Sequence, residues 1–211
     1  MKSVDFLEQF KQSLQKGLPG ESAHQLLMPL KRPLSSLAKL DSLNLRESAV
    51  GIVLYPKNQS IHCILIRRPT YEGAHSGQIS FPGGKRDSGD LDLEFTARRE
   101  CMEEIALPHQ HAELIHRLTE VFIPVSQFLV QPYLFFAEEI PSLIPDQREV
   151  EEIISFDVFQ LLKNQEIART SIPINAGLTL KDVPYFEING HIVWGATAMM
   201  LAEMKVLLER M

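Results

Sequence analysis

Cysteine is scarce in this chain. Cys63 and Cys101 are the only two in 211 residues, and they form no Cys-x-x-Cys pair. That argues against a disulfide framework or a zinc–cysteine site and fits a reducing compartment. Both read as small apolar core residues. Positive charge is also short, with 21 Lys and Arg against 27 Asp and Glu, a formal net charge of −6. Such a chain has no bulk attraction for a nucleic-acid backbone, so no nucleic-acid partner is expected. An anionic substrate has to be held by a local basic cluster or by bound cations. No apolar run approaches the length of a transmembrane helix. The opening Met1-Lys2-Ser3-Val4-Asp5 does not lead into the apolar stretch of a signal peptide. The expectation is a cytoplasmic protein with no membrane contact. There is no internal repeat. The balance of 45% hydrophobic and 23% charged residues is that of a folded globular chain.

Val4, Leu7, Phe10 and Leu14 recur at helical spacing, predicting a helix over 4–16 that stops at Gly17, with Pro19-Gly20 as a break. A stretch containing proline and serine follows. Residues 1–44 are read as an N-terminal helical extension packing on a main domain of residues 45–211. Ala49 to Tyr55 reads as a buried strand, Pro56 to Gln59 as a turn, and Ile61 to Ile66 as the returning strand. Residues 71–90 are rich in Gly, Ser and Asp and read mostly as loop. A helix is expected from Leu91 to Leu107. Strands follow at Glu113–Ile123, Phe128–Phe136 and Val150–Phe156, then a short helix over Asp157–Lys163 with Asp157 as cap. A hairpin turns at Asn189-Gly190, and a terminal helix spans 195–210. Strands and helices interleave without regular βαβ alternation. The predicted class is α/β (α+β), a mixed sheet sandwiched between helices.

The richest segment is Gly83-Gly84-Lys85-Arg86, followed at a distance by Arg99-Glu100-Cys101-Met102-Glu103-Glu104. At about 100° per residue, Leu93, Ala97, Cys101 and Ile105 form one apolar stripe. Glu104 falls inside that stripe, Glu100 at its edge and Glu103 further out. Three carboxylates at this spacing are near neighbours. Crowded together beside apolar surroundings, they would repel one another and lose hydration. Hard divalent cations between them would relieve both costs. The plain alternative is a solvated acidic helix face. The two glycines after Phe81-Pro82 let backbone approach something closely, although a simple tight turn would also use them.

At these residues the sequence resembles the Nudix family, whose signature reads G-x5-E-x7-R-E-U-x-E-E-x-G-U, with U a bulky apolar residue. The box spans about 84–107. Gly84 matches the opening glycine, Arg99-Glu100 the R-E pair, Cys101 the apolar place, Glu103-Glu104 the E-E pair and Leu107 the final U. The stretch from Gly84 to Arg99 is one residue longer than the general pattern, leaving Asp90 or Asp92 to stand for the early acid. Ala106 replaces the last glycine. The longer spacing is similar to that of the branch that hydrolyses coenzyme A. That branch carries a second motif, L-L-T-x-R-[SA]-x3-R-x3-G-x3-F-P-G-G. Ile64 to Arg68, Gly77 and Phe81 to Gly84 fall in its register. Ile66 stands for its threonine, Pro69 for its small residue and Gly73 for its second arginine.

The resemblance implies a Nudix fold and hydrolysis of a small-molecule diphosphate with Mg²⁺ or Mn²⁺. Coenzyme A or acyl-coenzyme A is the expected substrate. ADP-ribose or a nucleotide sugar is the alternative, and a non-catalytic Nudix binding module the more distant one. It implies metal ligation by Glu100, Glu104 and the Gly84 carbonyl, with Arg99 orienting Glu100 and Glu103 as a further ligand or water-positioning group. A general base is expected on this helix or in the acidic run Glu149, Glu151 and Glu152, of which Glu152 is taken as the catalytic candidate. Arg68, Lys85 and Arg86 are the candidate phosphate-binding cations, Arg68 foremost because it falls on a motif arginine. His75 is a further loop residue within reach of substrate or simply exposed. The sequence carries no signal of oligomeric state.

Overall fold

In the computed structural model, residues 3–29, 35–36, 45–70, 77–163, 166–175 and 178–211 are described. Gly73 and His75 lie outside them. The N-terminal periodicity produces α1, Ser3–Gln15, which buries Phe6, Phe10 and Leu14 one helical turn apart. Gly17, at φ 90°, ends it with its N–H bonded to the Leu14 carbonyl. After the Pro19-Gly20 break comes a single turn, α2, Glu21–His24.

The main sheet is mixed. It contains β1 (Arg46–Lys57), β2 (Ser60–Arg67), β3 (Ile79–Ser80), β4 (Gly83–Lys85), β5 (Glu113–Arg117), β6 (Val121–Ile123), β7 (Phe128–Phe136) and β8 (Glu152–Asp157). The path runs β3-β2-β1-β7-β5, with β4 on β1, β6 on β7 and β8 on β2. β1 and β7 are parallel, and the other pairs are antiparallel. Asn58 and Gln59 join β1 to β2 with positive φ at both positions, as a tight hairpin requires.

β1 is apolar on both sides because both sides are covered. Ile52 and Leu54 face a cluster shared with α1 and the terminal helix α5, Gly195–Glu209. Ala49 and Val53 face a second cluster with α3, Leu93–Ile105. The sheet is thus sandwiched between helices, as the sequence pattern predicts. Most of the circumference of α5 is buried, which suits its apolar composition. Among the described residues, no helix is long and apolar enough to cross a membrane.

Three expected elements differ. Glu113–Ile123 divides into β5 and β6, because Thr119 leaves the ladder and gives its N–H and hydroxyl to Glu203 of α5. The 71–90 loop contains β3 and β4, strands too short to leave a period in the sequence. Asp157 ends β8, and its side chain holds the Phe159 N–H ahead of a short helix, α4, Gln160–Lys163. A second sheet of β9 (Ala168–Asn175), β10 (Leu178–Ile188) and β11 (His191–Trp194) turns at Asn189-Gly190. β9 has no counterpart in the sequence pattern, because its Arg169-Thr170-Ser171 lacks an apolar alternation.

Candidate functional site

The site is organised by how α3 begins, packs and ends. Asp92 caps the helix, its carboxylate accepting the Phe95 N–H at 2.8 Å. Ala97, Cys101 and Ile105 then face the sheet. Gly51 on β1 allows the close approach, since a Cβ there would collide with Cys101 Sγ. The helix ends at Ala106 in the left-handed region, φ 54°, with the Ala106 and Leu107 N–H groups bonded back to the Met102 and Cys101 carbonyls. That geometry explains a signature glycine here; alanine pays about 1–2 kcal/mol for it.

Packing this face against the sheet carries two carboxylates inward. Glu104 is 1% exposed and Glu100 8%. One Glu104 oxygen accepts the Gly83 N–H at 2.7 Å, and the Arg68 guanidinium lies 3.6 Å from the other. That other oxygen, Oε1, is buried and accepts no hydrogen bond. Burial pushes the Glu104 carboxyl up to about 8, against the pull of Arg68 and the Gly83 N–H. Burial likewise raises Glu100, against the pull of Arg99 at 3.0 Å. Gly84 packs directly on the Glu100 carboxylate, and a Cβ at that position would overlap it.

Arg99 orders the cluster. It grips both oxygens of Asp90 at 3.0 and 3.1 Å, bonds Glu103 at 2.7 Å and donates to the Lys85 carbonyl at 3.1 Å. The two early acids therefore have separate tasks, Asp90 holding Arg99 and Asp92 capping the helix. The Arg99 hydrogen bonds hold Asp90 down at about 2. The end of α3 also fixes a distant loop, because the Ile144 and Asp146 N–H groups bond the Ile105 and Glu104 carbonyls. This brings Glu149 to the cluster. One carboxylate oxygen from each of Glu100, Glu104 and Glu149 lies within 4.8 Å of the others.

Gly84, Arg68, Arg99, Glu100, Glu103 and Glu104 thus converge. Glu103 stays at the solvent edge, its side chain 57% exposed. Glu152 sits outside the group, paired with Arg67 at 3.2 Å, and Glu151 pairs with the same arginine at 3.3 Å. Arg86 is bound to Glu47 at 2.8 Å. Lys85 projects into solvent beside Gly84. Spacing alone could not choose Glu149 over its neighbours, since the loop's bonds to the helix end make that choice. Ser48, whose hydroxyl donates to the Gly84 carbonyl at 2.6 Å, left no sequence signal at all.

The donor set suits a hard divalent cation. Three carboxylates face one another, one with a buried oxygen that accepts no hydrogen bond, and that crowding is costly unless a cation neutralises it. The Gly84 backbone lies directly against the Glu100 carboxylate.

Residues 45–173 match the NUDIX domain model. The chain belongs to the Nudix family. This Nudix chain is 33% identical over 134 residues to the mitochondrial coenzyme A diphosphatase NUDT8 of Homo sapiens, with 63% of the chain and 56% of that protein covered. The Mus musculus protein of the same name is 33% identical over 140 residues, with 63% of each covered. The chain therefore spans less than two thirds of the length of these mammalian relatives. It is 30% identical over 167 residues to the Nudix hydrolase NudL of Salmonella paratyphi B, covering 78% of this chain and 83% of that one. The crystal structure of a MutT protein from Methanosarcina mazei superimposes with a TM-score of 0.52 at 15% identity, covering 81% of this chain and 100% of the other. That likeness speaks to the fold alone.

Proposed function

We propose that this Nudix chain is a metal-dependent diphosphatase acting on a small-molecule nucleoside-diphosphate derivative. Its substrate is coenzyme A or an acyl-coenzyme A, and the products are 4′-phosphopantetheine, free or acylated, and adenosine 3′,5′-bisphosphate. The observation that carries the reading is the buried Glu104 carboxylate, one oxygen of which accepts no hydrogen bond, grouped with Glu100 and Glu149 so that one oxygen of each lies within 4.8 Å of the others. Glu100, Glu104, Glu149 and the Gly84 carbonyl are the residues to hold Mg²⁺ or Mn²⁺. When bound, such an ion neutralises the diphosphate and lowers the pKa of a coordinated water. Arg99 keeps Glu100 oriented, because its own position is fixed by Asp90. Arg68, beside Glu104, is within reach of the diphosphate oxygens. Glu103 at the rim positions water or accepts a proton. The expected base Glu152 is engaged by Arg67, which favours Glu149 for the distant acidic role. Net negative charge supports a small-molecule partner over nucleic acid. The cytoplasm is the compartment read from the sequence.

Support for coenzyme A comes from the second motif around Arg68 and Phe81–Gly84 and from the mammalian relatives' names. Gly73, standing where that motif has arginine, is the observation favouring ADP-ribose or a nucleotide sugar instead. The test is product analysis after incubation with Mg²⁺ or Mn²⁺ and coenzyme A, acyl-coenzyme A, ADP-ribose or NADH. The expected result is fastest cleavage of coenzyme A or its acyl form to the two named products. Faster turnover of ADP-ribose would overturn the substrate assignment, and no turnover of any diphosphate would overturn the enzyme assignment.

A further inference from the structure

Beside the carboxylate cluster lies a cleft of about 780 Å³, at the meeting of the first residues of β1, the end of β4 and the start of β7. Its walls include Leu45, Arg46, Glu47, Lys85, Asp90 and Leu129. The cleft adjoins the cluster through Arg99, which bonds both the Asp90 carboxylate and the Lys85 carbonyl.

Charge within this cleft is unevenly matched. Glu47 is bound by Arg86, Asp90 is held by Arg99, and Asp87 lies 4.0 Å from the same Arg99. Glu120, on the same wall, has an interaction of its own. Arg46 and Lys85 pair with no carboxylate among the described residues. Both are exposed. Lys85 lies opposite Ser48 in the β1–β4 ladder, and Arg46 is two residues from Ser48, so both side chains leave the same face of the sheet. The guanidinium of Arg46 sits 4.1 Å from the Phe128 ring centroid, which limits its freedom while leaving its N–H edge available. A planar donor fork held by a ring, with an ammonium from the neighbouring strand, suits a compact dianion.

We propose that Arg46 and Lys85 form a subsite for a phosphate monoester on the substrate, separate from the diphosphate that is cut. The inference rests on the coenzyme A reading, because that substrate carries a 3′-phosphate on its ribose. Arg46 is then the residue that discriminates coenzyme A from dephospho-coenzyme A.

The experiment compares kcat/KM for coenzyme A and dephospho-coenzyme A in the parent, Arg46→Ala, Arg46→Lys and Lys85→Ala. Binding of adenosine 3′,5′-bisphosphate and of adenosine 5′-monophosphate to the same proteins is measured by calorimetry. The parent should prefer coenzyme A, and Arg46→Ala should lower the ratio of the two kcat/KM values about tenfold, mainly through KM for coenzyme A. Arg46→Lys should restore part of the ratio. The bisphosphate should bind the parent more tightly than the monophosphate, and the variants should narrow that gap. An unchanged ratio, or equal losses on both substrates, overturns the subsite. If the parent cleaves neither substrate, the coenzyme A reading fails, while the calorimetric comparison still decides whether Arg46 and Lys85 hold a second phosphate.

Discussion

Gly84 touches the Glu100 carboxylate, so a methyl group at that position has nowhere to go except into the side chain proposed as a metal ligand. Gly84→Ala should therefore lower diphosphatase activity at least about 100-fold, because a shift of roughly 1 Å in a catalytic group has that effect. The change falls on a side chain rather than on the sheet, so Tm should move by no more than about 4 °C. Steady-state kinetics and calorimetry on the same preparation check both halves, and retained activity would refute the close packing. Much of this residue-level picture was legible beforehand. Angular arithmetic on one helix separates buried Glu104 from exposed Glu103, since both share a backbone of fixed pitch. Glu149 was legible only as one acid in a run. Its position depends on loop N–H groups bonding the last carbonyls of α3, and no local pattern encodes that.

At the scale of elements, α5 joins parts of the chain remote in sequence. Glu203, fully buried in α5, accepts hydrogen bonds from the Gly20 N–H, from the Thr119 N–H and hydroxyl, and pairs with His24 at 3.2 Å. Burial alone would raise the Glu203 carboxyl, but the bonds from His24 and Thr119 pull harder and leave it below its ordinary value. A carboxylate depressed in the folded state stabilises the fold above its unfolded value, and that stability is lost as pH falls through the folded one. The parent should therefore lose stability on acidification below about pH 4.5. Glu203→Gln turns a donor toward donors and should lower Tm at neutral pH by about 10 °C, with a flatter acid limb. Melting curves between neutral and acidic pH test this, and identical acid limbs would contradict it. The helix was readable from its apolar content. This network was not, because a glutamate among methionines in sequence does not reveal which loops will reach it. The split of β5 from β6 has the same origin, as Thr119 leaves the ladder for Glu203.

For the whole molecule, the N-terminal segment belongs to the core rather than lying on it. Phe6, Phe10 and Leu27 are buried in the same cluster as Met199, Met204 and Leu207 of α5. Each large aromatic lost from such a site costs about 3–5 kcal/mol, a large part of the roughly 5–15 kcal/mol that holds a domain together. A chain starting at residue 45 should bind a hydrophobic dye and lack a cooperative melt. A sharp transition with parental activity would show that the extension is dispensable. The sandwich itself followed from the order of strong elements, whereas β3, β4 and β9 were too short or too polar to announce themselves.

The proposed function requires that α3 and the 144–150 loop together hold a divalent cation. Titration of the metal-free protein with Mn²⁺, followed by electron paramagnetic resonance, tests it without reference to any substrate. The parent should bind Mn²⁺, and Glu104→Gln should weaken that binding at least about tenfold while keeping a cooperative melt. Equal affinity in the two proteins, or no binding by the folded parent, would contradict the account.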